Sequence, residues 1–567
     1  MSFPKSIIRF LFVATVLTYS LATRSSANLF DNGETSFVIS APRDAKPEIQ
    51  FAAKELQQYI FKASGALLPI REQNSSDKYY IFLSADESDS EGFYYHTEGQ
   101  NIKIHGLGRY GIVNAVYDFL ETELGIRWLT PAETFIPDIR SYRLRPIKRT
   151  GSPVFSTRLN YYYDALHHPL WCQHNRLNCT TFSSDYPATR VSWWGMHTFN
   201  KLLPEETYFA QHPEYFCLRN NKRVKHGQLC LSNPEVLNIV VTSLKKIIRE
   251  HPEYSVYDVS QNDNNDFCQC GNCTGIQKKY GGLSGLILWF VNQVADSVKT
   301  EFPNKLVGTF AYRNTRQAPV GIKARENVII RFCTFESCII HGFSDCERNL
   351  SIKKDIRQWS AITPHLEVWD YCVGFKQYIA PCPNFPALAE RFRAYKKLGV
   401  SGILVEGNYE GSWGDFSELR QWVVSKLLWN PSQDADSLAH IFINAYYHEA
   451  SPYIWEFYRL TQNQAHPSRH FPIYADYKND VYTNEYIENS HQILEKARLV
   501  TQNNPAVSAR VDRVAAQVYY LEATRYPFIS PVRIKALARL SAIIKKDPTY
   551  FMEYHKDMTS AFHILGF

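Results

Sequence analysis

At 567 residues the chain is longer than one hydrophobic core organises, so several domains are expected, one of them large. Its 45% hydrophobic and 21% charged residues exclude a long disordered protein. The net charge of +6 comes without a basic patch interleaved with aromatics, so there is no footprint for nucleic acid.

Residues 1–27 carry the pattern of a cleaved export signal: Lys5 and Arg9 precede a short apolar core, and Ser25 and Ala27 satisfy the small-residue rule before the cut. The apolar run is too short, and too interrupted by Thr, Ser and Tyr, to span a bilayer. No later segment reads as transmembrane, and no Cys follows the cut to carry a lipid. Lys5, Arg9 and Arg24 leave with the leader, so the mature charge is +6 less three, about +3. A secreted or periplasmic location is expected, with no membrane insertion.

Residues 28–150 predict a small α/β domain. Strands are expected at residues 37–40, 79–83 and 102–104, and helices at 45–63 and 108–123, where apolar positions recur at helical spacing. Over residues 151–431, short apolar strands at 256–259, 305–310, 328–332, 366–369 and 402–405 alternate with helices at 234–249, 284–301, 351–360, 386–398 and 416–429. This alternation predicts a parallel sheet, and over this length a (β/α)8 TIM-like barrel rather than an open sheet. The absence of a phosphate-cradling glycine pattern argues against a dinucleotide site. Residues 432–567 read as helical to the end, a supporting region without clustered chemistry.

In such a barrel the reactive groups stand at the C-terminal ends of the strands. The strand at 256–259 runs into Ser260-Gln261-Asn262-Asp263-Asn264-Asn265-Asp266. The strand at 366–369 runs into Asp370-Tyr371, and that at 402–405 into Glu406-Gly407-Asn408-Tyr409-Glu410, with Trp413 and Asp415 beyond. Upstream, Trp193-Trp194-Gly195-Met196-His197 sets an imidazole among aromatics. Carboxylates delivered into one basin suit glycosidic hydrolysis, which needs a protonated acid at the leaving oxygen and a second group at the anomeric carbon. The catalytic candidates are therefore Glu406, Asp263 and Asp370. The expected substrate contacts are His197, Asn262, Trp194, Trp369, Tyr371, Tyr312 and Trp413, because aromatic faces stack on sugars and the chain holds 36 Tyr and 11 Trp. Each has a blander reading: a turn cap for Asp263, a structural hydrogen bond for Asp370, a satisfied loop histidine for His197. Glu367 is set lower, because three positions separate it from Asp370 and the two would face opposite sides of a strand.

The twelve cysteines form a second signal. Cys268, Cys270 and Cys273 crowd together directly after the Asp263 loop, with Cys230 upstream and Cys333, Cys338 and Cys346 in another group. An exported chain favours disulfides, and four thiolates could equally hold a structural Zn²⁺; the spacing leaves both open for Cys230, Cys268, Cys270 and Cys273. No His and Asn pairing beside one Cys supports a cysteine nucleophile, and no cofactor is expected.

The stretches Gly195-Met196-His197-Thr198-Phe199, Gln228-Leu229-Cys230-Leu231-Ser232-Asn233-Pro234, Asn262-Asp263 with Phe267-Cys268-Gln269-Cys270-Gly271-Asn272-Cys273, Trp369-Asp370-Tyr371, and Glu418-Leu419-Arg420 with Lys426-Leu427-Leu428-Trp429-Asn430-Pro431 resemble domain of unknown function 4838. That family overlaps glycoside hydrolase family 163. The front unit, with residues 112–125 and Arg127-Trp128-Leu129, resembles the N-terminal domain that precedes α-glucuronidase and β-hexosaminidase barrels. The resemblance implies a secreted glycan-degrading barrel, and the characterised family activity implies an endo-β-N-acetylglucosaminidase on N-glycans. With a 2-acetamido sugar the substrate would supply its own nucleophile, Glu406 would be the acid, and Asp263 or Asp370 would orient the acetamide. Two other readings stay open. One is an α-glucuronidase-like exo-hydrolase that binds a uronate through Arg158, Arg313 or Arg331. The other is a non-catalytic glycan-binding protein on the same fold.

Overall fold

The computed structural model describes residues 27–72, 78–178, 186, 193–344 and 346–554. The expected leader, up to residue 26, lies outside them. Among the described residues no helix is long and apolar enough to cross a membrane.

The front domain is a mixed sheet under two helices. Its strands are β1 (Val38–Ala41), β2 (Ile70–Glu72), β3 (Tyr80–Ala85), β4 (Phe93–Glu98), β5 (Asn101–Gly106) and β6 (Lys148–Gly151). They lie in the order β6-β4-β5-β3-β1-β2. Helices α1 (Pro47–Ser64) and α2 (Gly111–Glu123) bury Leu56, Ile60, Val116 and Phe119 in a core that also takes Ile81 and Ile104. The β4–β5 hairpin is antiparallel and was not expected from the sequence.

Seven parallel strands build the second sheet: β7 (Thr157–Tyr161), β8 (Trp193–Trp194), β9 (Val256–Asp258), β10 (Leu306–Ala311), β11 (Val328–Cys333), β12 (His365–Tyr371) and β13 (Gly402–Glu406). The order is β7-β13-β12-β11-β10-β9-β8. The first strand thus pairs with the last and each other strand with its sequence neighbour, which is the connectivity of a sheet curled toward a barrel. Among the described residues no ladder joins β7 to β8. Of the expected (β/α)8 barrel, the described residues show this curled parallel sheet of seven strands. Among the described residues β8 is two residues long and pairs with β9.

Every residue of β11 and β13 is buried, as parallel strands covered on both faces must be. The covering helices include α3 (Pro234–Glu250), α4 (Gly271–Tyr280), α5 (Leu283–Glu301), α6 (Glu347–Ser360), α7 (Phe385–Lys397) and α8 (Ser417–Trp429). Helix α8 is buried on all sides. The sheet and the C-terminal helices α9 (Ala435–Tyr447), α10 (Ser451–Gln462), α11 (Asn484–Val500), α12 (Pro505–Arg525) and α13 (Pro531–Lys546) share one hydrophobic core with it. Its Trp429 enters the front domain's core.

The front domain is welded to the sheet by buried charge. Lys426 of α8 and Arg176 both pair with Glu121, Arg176 also reaches Asp118 at 2.8 Å, and Arg158 pairs with Glu91. Each charge is out of water yet compensated, and removing one partner would strand the other.

Candidate active site

A cavity of about 550 Å³ opens at the C-terminal ends of the curled strands, a size suited to a small ligand or a sugar unit. Strand ends supply Tyr161 from β7, Phe310 from β10, Cys333 from β11, Trp369 and Tyr371 from β12 and Glu406 from β13. The loops add His197, Asp263, Tyr312, Arg313 and Tyr409, and the C-terminal region closes the far wall with Tyr474, Glu553 and Tyr554.

The rings brace one another. Trp369 meets Phe310 edge-on at 5.9 Å, Tyr161 lies 5.3 Å from Tyr409, and Phe335 meets Tyr312, Tyr371 and Tyr474 at 5.5, 5.9 and 5.7 Å. Edge-on and tilted contacts are geometries that aromatic quadrupoles favour, and here they tie the rings of the wall to one another.

Glu406 is the last residue of β13, in register with Tyr371 and Tyr161 of the flanking strands. The indole Nε1 of Trp369 donates to its Oε2 at 2.7 Å. Burial pushes this carboxyl up to about 8; the Trp369 bond opposes the shift, and the charges of Glu553 and Glu410 add to it. Glu406 is therefore mostly protonated at neutral pH. The chain can turn away from it only because residue 407 is glycine: a Cβ there would stand 2.0 Å from the Tyr162 ring.

Asp263 reaches the cavity from the loop after β9, half exposed, with Arg313 Nη1 3.9 Å from its Oδ1. Asn262, one residue earlier, does not line the cavity. Its Oδ1 accepts from the Asn200 N–H at 3.1 Å and its Nδ2 donates to the Gly227 carbonyl at 2.9 Å. The side chain of Gln228 completes the brace, donating to the Asn262 carbonyl at 2.8 Å and accepting its N–H at 2.9 Å. Asn262 thus holds the loop that presents Asp263.

His197 lines the cavity with a left-handed backbone, φ +52°. Its Nδ1 lies 2.7 Å from the Gln261 carbonyl. A carbonyl only accepts, so Nδ1 carries the proton and Nε2 is left for a ligand.

Asp370 is the main correction. Its side chain is fully buried away from the cavity, where Oδ2 accepts from Arg391 Nε at 3.1 Å and Oδ1 from Thr334 at 2.8 Å and the Tyr371 N–H at 3.0 Å. Trp369 and Tyr371 point inward, and strand alternation sends the residue between them outward to α7. Glu367 shares the inward side but lies deeper, accepting from Arg331 at 2.7 Å and Trp193 at 2.9 Å. Trp194 and Trp413 also do not line the cavity: Trp194 packs against the core, and Trp413 is buried with Nε1 donating to the Asp547 carbonyl at 3.1 Å. Of the three arginines considered for a uronate, Arg158 pairs with Glu91, Arg331 pairs with Glu367, and Arg313 alone lines the cavity.

The sequence reading missed Glu553 and Tyr474, which stand in the region expected to carry no chemistry. Tyr474 donates to Glu553 at 3.0 Å, and burial raises the Glu553 carboxyl above its ordinary value while this bond opposes the rise. Neither residue follows a strand, so no local pattern announced them.

Behind the Asp263 loop the sulfurs of Cys230, Cys268, Cys270 and Cys273 lie within 4.8 Å of one another, with no bond between them. Cys230 is 3.7 Å from Cys270 and 4.0 Å from Cys273. Tetrahedral zinc with bonds of about 2.3 Å sets its sulfurs about 3.8 Å apart, whereas a disulfide needs about 2.05 Å. The backbone N–H groups of Leu218 and Cys273 donate to Cys268 and Cys270 at 3.3 and 3.5 Å, as ligating thiolates accept. These four cysteines could hold one Zn²⁺ in a structural role, and none of them lines the cavity.

No curated protein matches the chain in sequence. A family model described as "Domain of unknown function (DUF4838)" matches residues 128–459. Solved structures similar to the chain include a GH138 enzyme targeting pectin rhamnogalacturonan II, 10% identical with a TM-score of 0.47 over 94% of this chain and 98% of that one. A β-N-acetylhexosaminidase from Bacteroides fragilis NCTC 9343 is 11% identical, with a TM-score of 0.44 over 72% and 90%. The chitobiase of Flavobacterium johnsoniae is 10% identical, with a TM-score of 0.45 over 92% and 94%.

Proposed function

The chain belongs to the family described as Domain of unknown function (DUF4838), and we propose that this member is an exported glycoside hydrolase acting on glycans. One observation carries the reading: a carboxyl held protonated near neutrality, Glu406, stands in an aromatic-walled cavity that also holds Asp263 and Glu553. A desolvated acid beside ionisable carboxylates is the division of labour that glycosidic cleavage needs.

Glu406 donates its proton to the leaving glycosidic oxygen as the bond to the anomeric carbon breaks. On a 2-acetamido sugar, the acetamido carbonyl oxygen bonds to the anomeric carbon. Asp263 accepts the acetamido N–H and favours that attack. Water, deprotonated by the Glu406 carboxylate, then opens the ring intermediate. Trp369, Tyr371 and Tyr312 supply faces for the sugar, and His197 offers Nε2 to a hydroxyl. We assign the substrate as an N-glycan core, cut by endo-β-N-acetylglucosaminidase action, on the motifs shared with the family. The uronate reading has less support, because among the described residues Arg313 is the one arginine that lines the cavity.

The test is incubation of the mature protein with an N-glycoprotein and a panel of aryl glycosides, with released products read by mass spectrometry. Release of N-glycans that stops in Glu406→Gln supports the proposal. Tight glycan binding without any release by the unaltered protein would make it a lectin-like binder instead.

A further inference from the structure

A second convergence of metal ligands lies apart from the cysteine cluster and from the cavity. Cys338 and His341 stand on the segment after β11, Cys346 directly precedes α6, and His470 lies in the C-terminal region between α10 and α11. One donor atom from each lies within 4.8 Å of every other. We infer that Cys338, His341, Cys346 and His470 form a structural metal centre that takes one Zn²⁺ and clamps the C-terminal region onto the strand ends.

The distances fit a shared ion. Cys338 Sγ is 3.4 Å from His341 Nδ1, and Cys346 Sγ is 3.7 Å from His470 Nδ1. A tetrahedron with Zn–S of about 2.3 Å and Zn–N of about 2.0–2.1 Å has mixed edges of about 3.5 Å. The two imidazole rings meet edge-on at 5.6 Å, so each can aim a nitrogen at the common point. A thiolate pair with two imidazoles is a donor set that selects zinc over hard cations such as magnesium or calcium. A Cys338–Cys346 disulfide would use the two sulfurs but would leave the convergence of both histidines without a cause.

The surroundings hold this arrangement in place. Asn349 of α6 is fully buried. Its Nδ2 donates to the carbonyls of Cys338, His341 and Gly342 at 3.0, 3.1 and 3.1 Å, and its Oδ1 accepts the Cys338 N–H at 2.8 Å. The Phe471 N–H donates to Cys338 Sγ at 3.4 Å, and the Ile339 N–H donates to the Phe471 carbonyl at 2.9 Å. Hydrogen bonds that orient ligands and feed a ligating sulfur are what tune a metal centre. The clamp joins residues 124 positions apart, Cys346 and His470. Four residues past His470 comes Tyr474, which forms a cavity wall with Glu553. Metal there would fix the position of that wall.

The experiment counts zinc in the full mature chain, equilibrated with Zn²⁺ and desalted. The unaltered protein is expected to hold one equivalent more per chain than Cys338→Ser/Cys346→Ser, while Cys372→Ser, which alters a buried cysteine of neither cluster, keeps the full content. Should the double variant fail to fold, the unaltered protein serves alone: Cys338 and Cys346 are expected to resist iodoacetamide when zinc-loaded and to be alkylated after chelation, as read by peptide mapping. Equal zinc in the folded double variant, alkylation of these two thiols regardless of zinc, or a Cys338–Cys346 disulfide in the unreduced digest would each overturn the inference.

Discussion

The indole N–H of Trp369 donates to Oε2 of Glu406 at 2.7 Å, across the boundary between β12 and β13. Glu406 ends its strand and Trp369 lies two residues before the end of the parallel neighbour, so the bond fixes one carboxyl oxygen, Oε2, and leaves Oε1 free of this contact. A hydrogen bond to a carboxylate favours its charged form, so this contact restrains the upward pull of burial.

Trp369→Phe keeps an aromatic wall and removes that bond. The Glu406 carboxyl then rises further, and the alkaline limb of the pH–rate profile is expected to move upward, with kcat falling about tenfold as the acid loses its orientation. An unmoved alkaline limb would show that a different group sets it.

Glu406→Gln removes the acid, and hydrolysis is expected to fall by about 10²–10⁴-fold. The same change has a stability signature. The folded carboxyl titrates near 8 against an ordinary value of 4.5. Below about pH 4.5 both states hold the proton. Between 4.5 and 8 the unfolded chain gives it up while the folded one keeps it, so stability falls with rising pH, by up to about 1.4 kcal/mol per pH unit. Thermal unfolding at pH 5 and pH 8 should therefore show the variant gaining on the unaltered protein as pH rises.

Asp370→Asn strands the buried Arg391 guanidinium, and a loss of about 3–5 kcal/mol is expected in denaturant unfolding. At a temperature where the variant stays folded, its kcat should remain within a few-fold of normal, because the side chain faces α7. A loss of activity of more than a hundredfold in well-folded Asp370→Asn would contradict that placement.

Gln228→Ala removes the amide that holds both the N–H and the carbonyl of Asn262. The Asp263 loop is expected to loosen, raising KM several-fold while the alkaline limb of the profile stays in place. Faster amide hydrogen exchange across residues 262–266 is the accompanying measurement.

Tyr474→Phe deletes the hydroxyl that donates to Glu553. The Glu553 carboxyl should rise, since the bond opposes the effect of burial. If this wall touches substrate, affinity for a glycan product weakens, as read by calorimetry; unchanged affinity would place the Tyr474–Glu553 pair outside the binding surface.

Much of the architecture was legible because hydrophobic periodicity is local. Strands β9 to β13 of the curled sheet and the C-terminal helices follow from apolar spacing, whereas β7 and β8 were not anticipated; Glu406 was singled out by asking which residue leaves an apolar strand. Closure of the expected ring was not legible from that alternation, since pairing between β7 and β8 depends on how far each strand extends beside its neighbour. The choice between Glu367 and Asp370 shows another boundary. Their opposite facing was readable from their spacing, but which face was inward depended on how β12 sits between Arg391 of α7 and the cavity.

The amino-acid sequence by itself determined most strand ends of the curled sheet, the carboxyl at position 406 that follows one of them, the aromatic supply and the thiols after Asp263, because each is written within a few residues. Only the tertiary structure decided that Asp370 pairs with Arg391, that Asn262 braces rather than binds, that Glu553 and Tyr474 complete the cavity, and that His470 joins Cys338, His341 and Cys346. Those relationships span tens to hundreds of residues. They depend on the packing of whole elements, which sets distance and orientation, and no local spacing encodes either.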